Sequence, residues 1–156
     1  MKVDPRFAEL YEAEWATVYR AAFVLCRDRG LAEDAAQEAF ARALARWRRL
    51  RGESWAAAWI TTTALNAARR SLRRRTDAPV VAPDAGDPGM EESMDLWRGI
   101  GKLPRRQQEA VVLHYVADLT VGDTASAMGC EEGTVKAHLF RAREALRGQL
   151  GGERVG

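Results

Sequence analysis

The chain has 156 residues, 47% of them hydrophobic, with 5 Trp, 3 Tyr and 4 Phe, enough apolar bulk for one ordinary domain or two small ones. No apolar run is long enough to span a bilayer, and Met1-Lys2-Val3-Asp4-Pro5 lacks a signal core, so a cytoplasmic protein without membrane insertion is expected. Net charge is only +2 but unevenly spread: residues 42–75 hold 10 arginines against the single acid Glu53, whereas 1–41 hold 8 acids against 5 basic residues. A basic block on a folded element is the footprint of phosphate contacts, and a solvated arginine face is the plainer alternative.

Phe7, Leu10, Tyr11, Trp15, Val18, Ala22 and Leu25 follow the i, i+3, i+4 rhythm of a long amphipathic helix that Asp28-Arg29-Gly30 should end. A second helix is predicted from near Leu31 to near Arg49, with Glu33 and Asp34 in a first turn where the dipole favours anions. It carries Ala35, Ala36, Ala39, Phe40, Ala43 and Trp47. After the loop Leu50-Arg51-Gly52-Glu53, Ser54 is a suitable N-cap for a third helix bearing Trp55, Ala58, Trp59, Thr62, Leu65, Ala68 and Leu72. Its tryptophans read as core, with base stacking as a second use. Arg69, Arg70, Arg73, Arg74 and Arg75 crowd its last turns, more cations than the helix dipole needs.

From residue 76 to 92 the pattern gives way to Asp77, Pro79, Pro83, Asp84, Gly86, Asp87, Pro88 and Gly89, an acidic Pro/Gly linker between two helical modules. Beyond it, Pro104 can open a helix whose apolar side is Val111, Val112, Tyr115 and Val116. Leu119 to Met128 is a further helix closed by Gly129, Cys130 to Gly133 makes a turn, and Glu132 to Arg147 is the last long helix. At roughly 100° per residue Val135, Leu139, Ala142 and Leu146 share a buried arc. Lys136, Ala137, Phe140, Arg141, Glu144 and Arg147 fall opposite, with Thr134 at the margin. An aromatic ring turned to water between cations suits a recognition helix of a helix-turn-helix, here residues 119–138, better than a solvated face. Gly122 should weaken the first helix of that motif by about 1 kcal/mol, and the tail after Leu150 should fray.

Cys26 and Cys130 look like isolated core thiols, and a metal site with His114 and His138 is not expected. There is no Gly-rich phosphate loop, nucleophile elbow or ligand-spaced cluster, so the expectation is no enzyme, no cofactor and no metal.

Three stretches carry a family resemblance: Ala32-Glu33-Asp34-Ala35-Ala36-Gln37-Glu38-Ala39-Phe40; Trp59-Ile60 with Asn66 and the arginine cluster; and Gly133-Thr134-Val135-Lys136 with Arg141-Ala142-Arg143 and Leu146-Arg147. In that order and spacing the chain resembles the extracytoplasmic-function (ECF) class of bacterial RNA polymerase sigma factors. The resemblance implies an all-α protein of two small helical domains: a region 2 three-helix bundle over 1–75, a flexible linker over 76–92, and a region 4 helix-turn-helix domain over 93–150.

It further implies that Asp34, Gln37, Glu38 and Phe40 dock on the β′ clamp helices of the polymerase core, and that region 4 meets the β flap. Arg51, Ser54, Asn66, Arg69, Arg70 and Arg73 would meet the −10 promoter element, where a base is flipped out of the stack. Thr134, Lys136, Ala137, Phe140, Arg141 and Arg147 would read the −35 element. The free protein would be a monomer, with an anti-sigma factor as a further partner in prospect. The stretch Val121-Gly122-Asp123-Thr124 departs from the family's usual glutamate, apolar residue and alanine. Two other readings stay open on sequence: a regulator that binds operators by itself, and a protein-binding decoy that fails to start transcripts.

Overall fold

Asp4 starts the first helix by accepting the Arg6 amide on Oδ1 at 2.9 Å, with Pro5 in the first turn where a missing N–H costs nothing. The computed structural model describes residues 2–74 and 94–154; Arg75 and the linker expected over 76–92 lie outside the described residues. Helix α1 runs Pro5–Cys26 and stops where Arg27 turns left-handed at φ 53° and its amide returns to the Phe23 carbonyl at 2.8 Å. Asp28 then caps α2, accepting the Leu31 amide on Oδ1 at 2.9 Å. Helix α2 therefore spans Arg29–Ala45, two residues earlier than predicted, and Glu33 and Asp34 sit in its second turn, beyond the strongest reach of the dipole.

The single helix expected as far as Arg49 is broken at Arg46, whose backbone opens to φ −111°, and the short α3, Trp47–Leu50, follows. Helix α4 is Ala56–Arg74. Its Ala56 amide is accepted by the Glu53 carbonyl at 3.2 Å, so Ser54 lies in the preceding turn, two residues upstream of the helix, and is not its N-cap.

Helices α1, α2 and α4 pack on one another as a bundle. Val18, Ala21, Ala22 and Leu25 meet Ala32, Ala35, Ala36, Ala39 and Ala43, while α4 contributes Ile60, Ala64, Leu65 and Ala68, all buried. One end is closed by aromatic edges: Phe7 to Trp47 at 5.4 Å and 85°, Tyr11 to Phe40 at 4.8 Å and 62°. Trp47 Nε1 donates to Asp4 Oδ2 at 3.0 Å, tying α3 to the start of α1.

The second lobe has α5 (Met94–Gly101), α6 (Arg105–Val111), a π turn (Val112–Val116), α7 (Val121–Met128) and α8 (Glu132–Arg154). In the π turn the Ala117 amide reaches the Val112 carbonyl at 2.9 Å, one residue further than in an α-helix. That extra residue shifts the register: Leu113 is buried and Tyr115, predicted on the apolar side, is 53% exposed. Thr120 caps α7 by accepting the Asp123 amide on Oγ1 at 3.0 Å, and Gly129 ends it at φ 67°. Helix α8 passes through Gly151 and Gly152, where a frayed tail was expected. No strand occurs among the described residues, and none of their helices is long and apolar enough to cross a membrane. The lobes touch: α4 lies against α7, and α1 against the π turn and α5.

Candidate nucleic-acid interface

The predicted buried arc of α8, Val135, Leu139, Ala142 and Leu146, is buried against the rest of its lobe, which forces the opposite face outward. Thr134, Lys136, Arg141 and Arg147 are exposed, Ala137 is half-buried, and Phe140 is 59% exposed, the most open large hydrophobic side chain described. Arg147 Nη1 pairs with Glu144 Oε1 at 2.7 Å, whereas Lys136 and Arg141 have no acidic partner among the described residues. Two unneutralised cations therefore flank an exposed ring on a helix held by α7. Such a surface can take phosphates with its cations and a thymine methyl with its ring.

On the other lobe, Asp34 and Gln37 are exposed on α2. Glu38 is half-buried, ion-paired with Arg70 of α4 and 3.8 Å from Arg42. Phe40 is only 3% exposed, enclosed by Phe7, Tyr11 and Trp15, so it lies beneath the surface where the sequence places it and is not presented on it. Arg51 and Ser54 are exposed in the turn around Gly52, itself at φ 78°, and Asn66 and Arg73 are exposed on α4.

The Sigma-70 region 2 family matches residues 10–77, and the Sigma-70 region 4 family matches residues 93–146. The RNA polymerase sigma-H factor of Pseudomonas aeruginosa is 32% identical over 136 residues, covering 74% of this chain and 70% of that protein. The ECF sigma factor SigM of Mycobacterium tuberculosis is 30% identical over 151 residues, covering 93% of this chain and 77% of that one. The chain belongs to the ECF RNA polymerase sigma factors.

The fold agrees with a solved sigma factor, the RpoE of Bartonella quintana seen with the anti-sigma factor NepR, at a TM-score of 0.78 and 24% identity, covering 95% of this chain and 98% of that one. As a sigma factor the protein gives RNA polymerase promoter specificity in transcription initiation and catalyses nothing itself.

Two features of this sigma factor depart from the sequence expectation. Trp55 is 38% exposed and donates Nε1 to Glu53 Oε2 at 3.0 Å, so it is not a core residue, whereas Trp59 is half-buried, packs on the edge of the core and lies under the Arg46 guanidinium at 5.8 Å. The buried arc of α4 runs through Ile60, Thr61, Ala64 and Ala68 and leaves both indoles at its border.

The arginines expected from the resemblance at the −10 element are not gathered on one open surface either. Arg69 has a side chain only 13% exposed, held by Glu109 at 3.0 Å from region 4. Burial pulls its guanidinium below the usual arginine range, Glu109 opposes that shift, and Arg105 and Arg106 add to it. Glu109 is not among the residues that the sequence marks for a site. Arg105 and Arg106 at i−4 and i−3 were its readable signal, since a buried acid needs such partners. His138, half-buried and with no hydrogen-bond partner for Nδ1 among the described residues, is held below the ordinary histidine range by burial and then by Arg106 and Arg141.

Proposed function

We propose that this sigma factor divides its work between two domains, residues 1–75 and 93–150, joined by the acidic stretch 76–92. The outer face of α2, with Asp34, Gln37 and Glu38 over a base of Phe40, docks on the β′ clamp helices of core polymerase, and region 4 meets the β flap. Its acids suit a basic partner surface, which would steer encounter and fix register. Arg51, Ser54, Asn66, Arg69, Arg70 and Arg73 engage the −10 element as single-stranded DNA. Helix α8 enters the −35 major groove with Thr134, Lys136, Ala137, Phe140, Arg141 and Arg147.

The observation that carries the reading is the outward row of α8, where a ring 59% exposed stands between Lys136 and Arg141. The protein works in the cytoplasm as a monomer when free. The solved RpoE complexed with NepR supports an anti-sigma factor as a further partner. In vitro transcription with core enzyme on a genomic promoter pool tests the whole assignment. A defined set of new start sites, each with a shared upstream pair of elements, is expected. Strong duplex binding by the free protein without new transcripts would overturn it.

A further inference from the structure

Helix α8 opens on an acid that the cations behind it do not explain. Glu132, its first residue, is exposed and has no ion pair among the described residues. Lys136 stands one turn on, at the spacing of a common helical pair, yet the two stay apart. The carboxylate turns back instead: Oε1 lies 3.0 Å from the point where a Cβ on Gly122 would stand, so it rests against the bare backbone in the first turn of α7. Any side chain at 122 would contest that place. Gly133 comes next, and a Cβ there would meet nothing within 4 Å. At about 100° per residue Gly133 falls in line with Lys136, Ala137 and Phe140, so the outward side of the first turn of α8 is backbone alone. A base edge can come close there.

We propose, resting on the entry of α8 into the −35 major groove, that Glu132 is a specificity-determining residue whose carboxylate accepts the N4 amino group of a cytosine, with Gly122 leaving it the space to aim. In that groove the N-terminal residues of a recognition helix lie nearest the bases. A carboxylate only accepts hydrogen bonds, and the donors on the exposed edges are cytosine N4 and adenine N6. Adenine sets its donor beside the N7 acceptor, which repels an anion, whereas cytosine presents N4 with no acceptor on the same base. Phosphates repel the carboxylate too, so its place is over the groove floor while Lys136 and Arg141 face the strand backbones. The common use of an acid at a helix start, to complement the dipole, is indifferent to DNA sequence.

The test is transcription by holoenzyme on a promoter library randomised through the −35 element, with transcripts sequenced against their templates. The native chain should favour cytosine at one position by about tenfold over the other bases, the discrimination of one good contact. Glu132→Gln should move that preference to adenine, because a side-chain amide donates to N7 and accepts from N6. Glu132→Ala should flatten it. Gly122→Ala, which displaces the carboxylate without removing it, should weaken the preference at the same position. Glu131→Gln removes an equal charge from the exposed residue just before the helix and should keep the native base profile.

An unchanged profile in Glu132→Gln, or a loss spread evenly over all positions, would overturn the inference and leave the acid a partner of the helix dipole. Phe140→Ala and Arg141→Ala on the same library keep the −35 assignment separate. If they alter preferences at other positions while Glu132→Gln alters none, the cytosine contact alone is refuted. If no substitution on α8 changes the profile, α8 does not read the element, and the −35 assignment falls together with the contact.

Discussion

Arg70 on α4 is ion-paired with Glu38 on α2, so a residue proposed to meet the −10 strand is held by one proposed to meet polymerase. Both side chains are more than a third exposed, and pairs of that kind contribute about 0.2–1 kcal/mol. Glu38→Gln should therefore leave the thermal unfolding midpoint almost unchanged. The triple change Asp34→Asn, Gln37→Ala and Glu38→Gln should nonetheless abolish co-purification with core polymerase. Retained core affinity in that variant would place the docking face elsewhere.

Adjacent residues on α8 should separate folding from recognition. Leu139 is 3% exposed, and Leu139→Ala should cost about 2–5 kcal/mol of region 4 stability by leaving a cavity. Phe140→Ala, one residue on and outward, should change stability by no more than about 0.5 kcal/mol. Denaturant titration of the two variants checks this contrast.

In holoenzyme, Phe140→Ala and Arg141→Ala should each weaken use of promoters with an intact −35 element by about 1–3 kcal/mol. Core binding should stay as it was. Relative transcript yields from matched promoters with and without that element provide the measurement.

Gly122 lies in the first turns of α7, where sequence alone marks it as a weak point. A Cβ there would stand 3.0 Å from Glu132 Oε1, the far end of an exposed and flexible side chain that can move aside. Gly122→Ala should therefore stabilise region 4 by up to about 1 kcal/mol through helix propensity. A lowered unfolding midpoint would show that the Glu132 carboxylate is fixed where it stands.

The hydrogen bond from Trp47 Nε1, and then that from the Arg6 amide, hold the Asp4 carboxyl below its ordinary value of 3.8. A carboxylate with a depressed folded-state pKa contributes stability that is fully present above its unfolded value and is lost as pH falls through the folded one. The stability gap between the native chain and Asp4→Asn should thus be constant near neutrality, shrink below about pH 3.8, and vanish in stronger acid. Urea midpoints across that range decide it.

Periodicity was enough for α8, because one strip of Val135, Leu139, Ala142 and Leu146 had to be buried and the remaining faces followed. It was enough for the stop at Gly129, where a left-handed turn suits a residue without a side chain. It misplaced Tyr115, since an i to i+5 hydrogen bond inserts a residue that a constant angular step does not contain. It read Trp55 as interior because an indole is apolar, although Ile60 and Ala64 are the fully buried residues of α4 and only Trp59 of the two indoles packs against the core. It could not foresee Arg69 against Glu109: the two are 40 positions apart, on lobes whose mutual packing leaves no local pattern.

The π turn at Val112–Val116 also sets the angular phase of everything after it. Removing one residue from it would restore ordinary winding and swing the rest of the chain about the axis of α6 by about 100°, one residue's worth of helical rotation. The reading edge of α8 and the capped start of α7 would then leave together the bearing from which they face a groove. A sigma factor shortened by that single position would keep its helices and lose its aim.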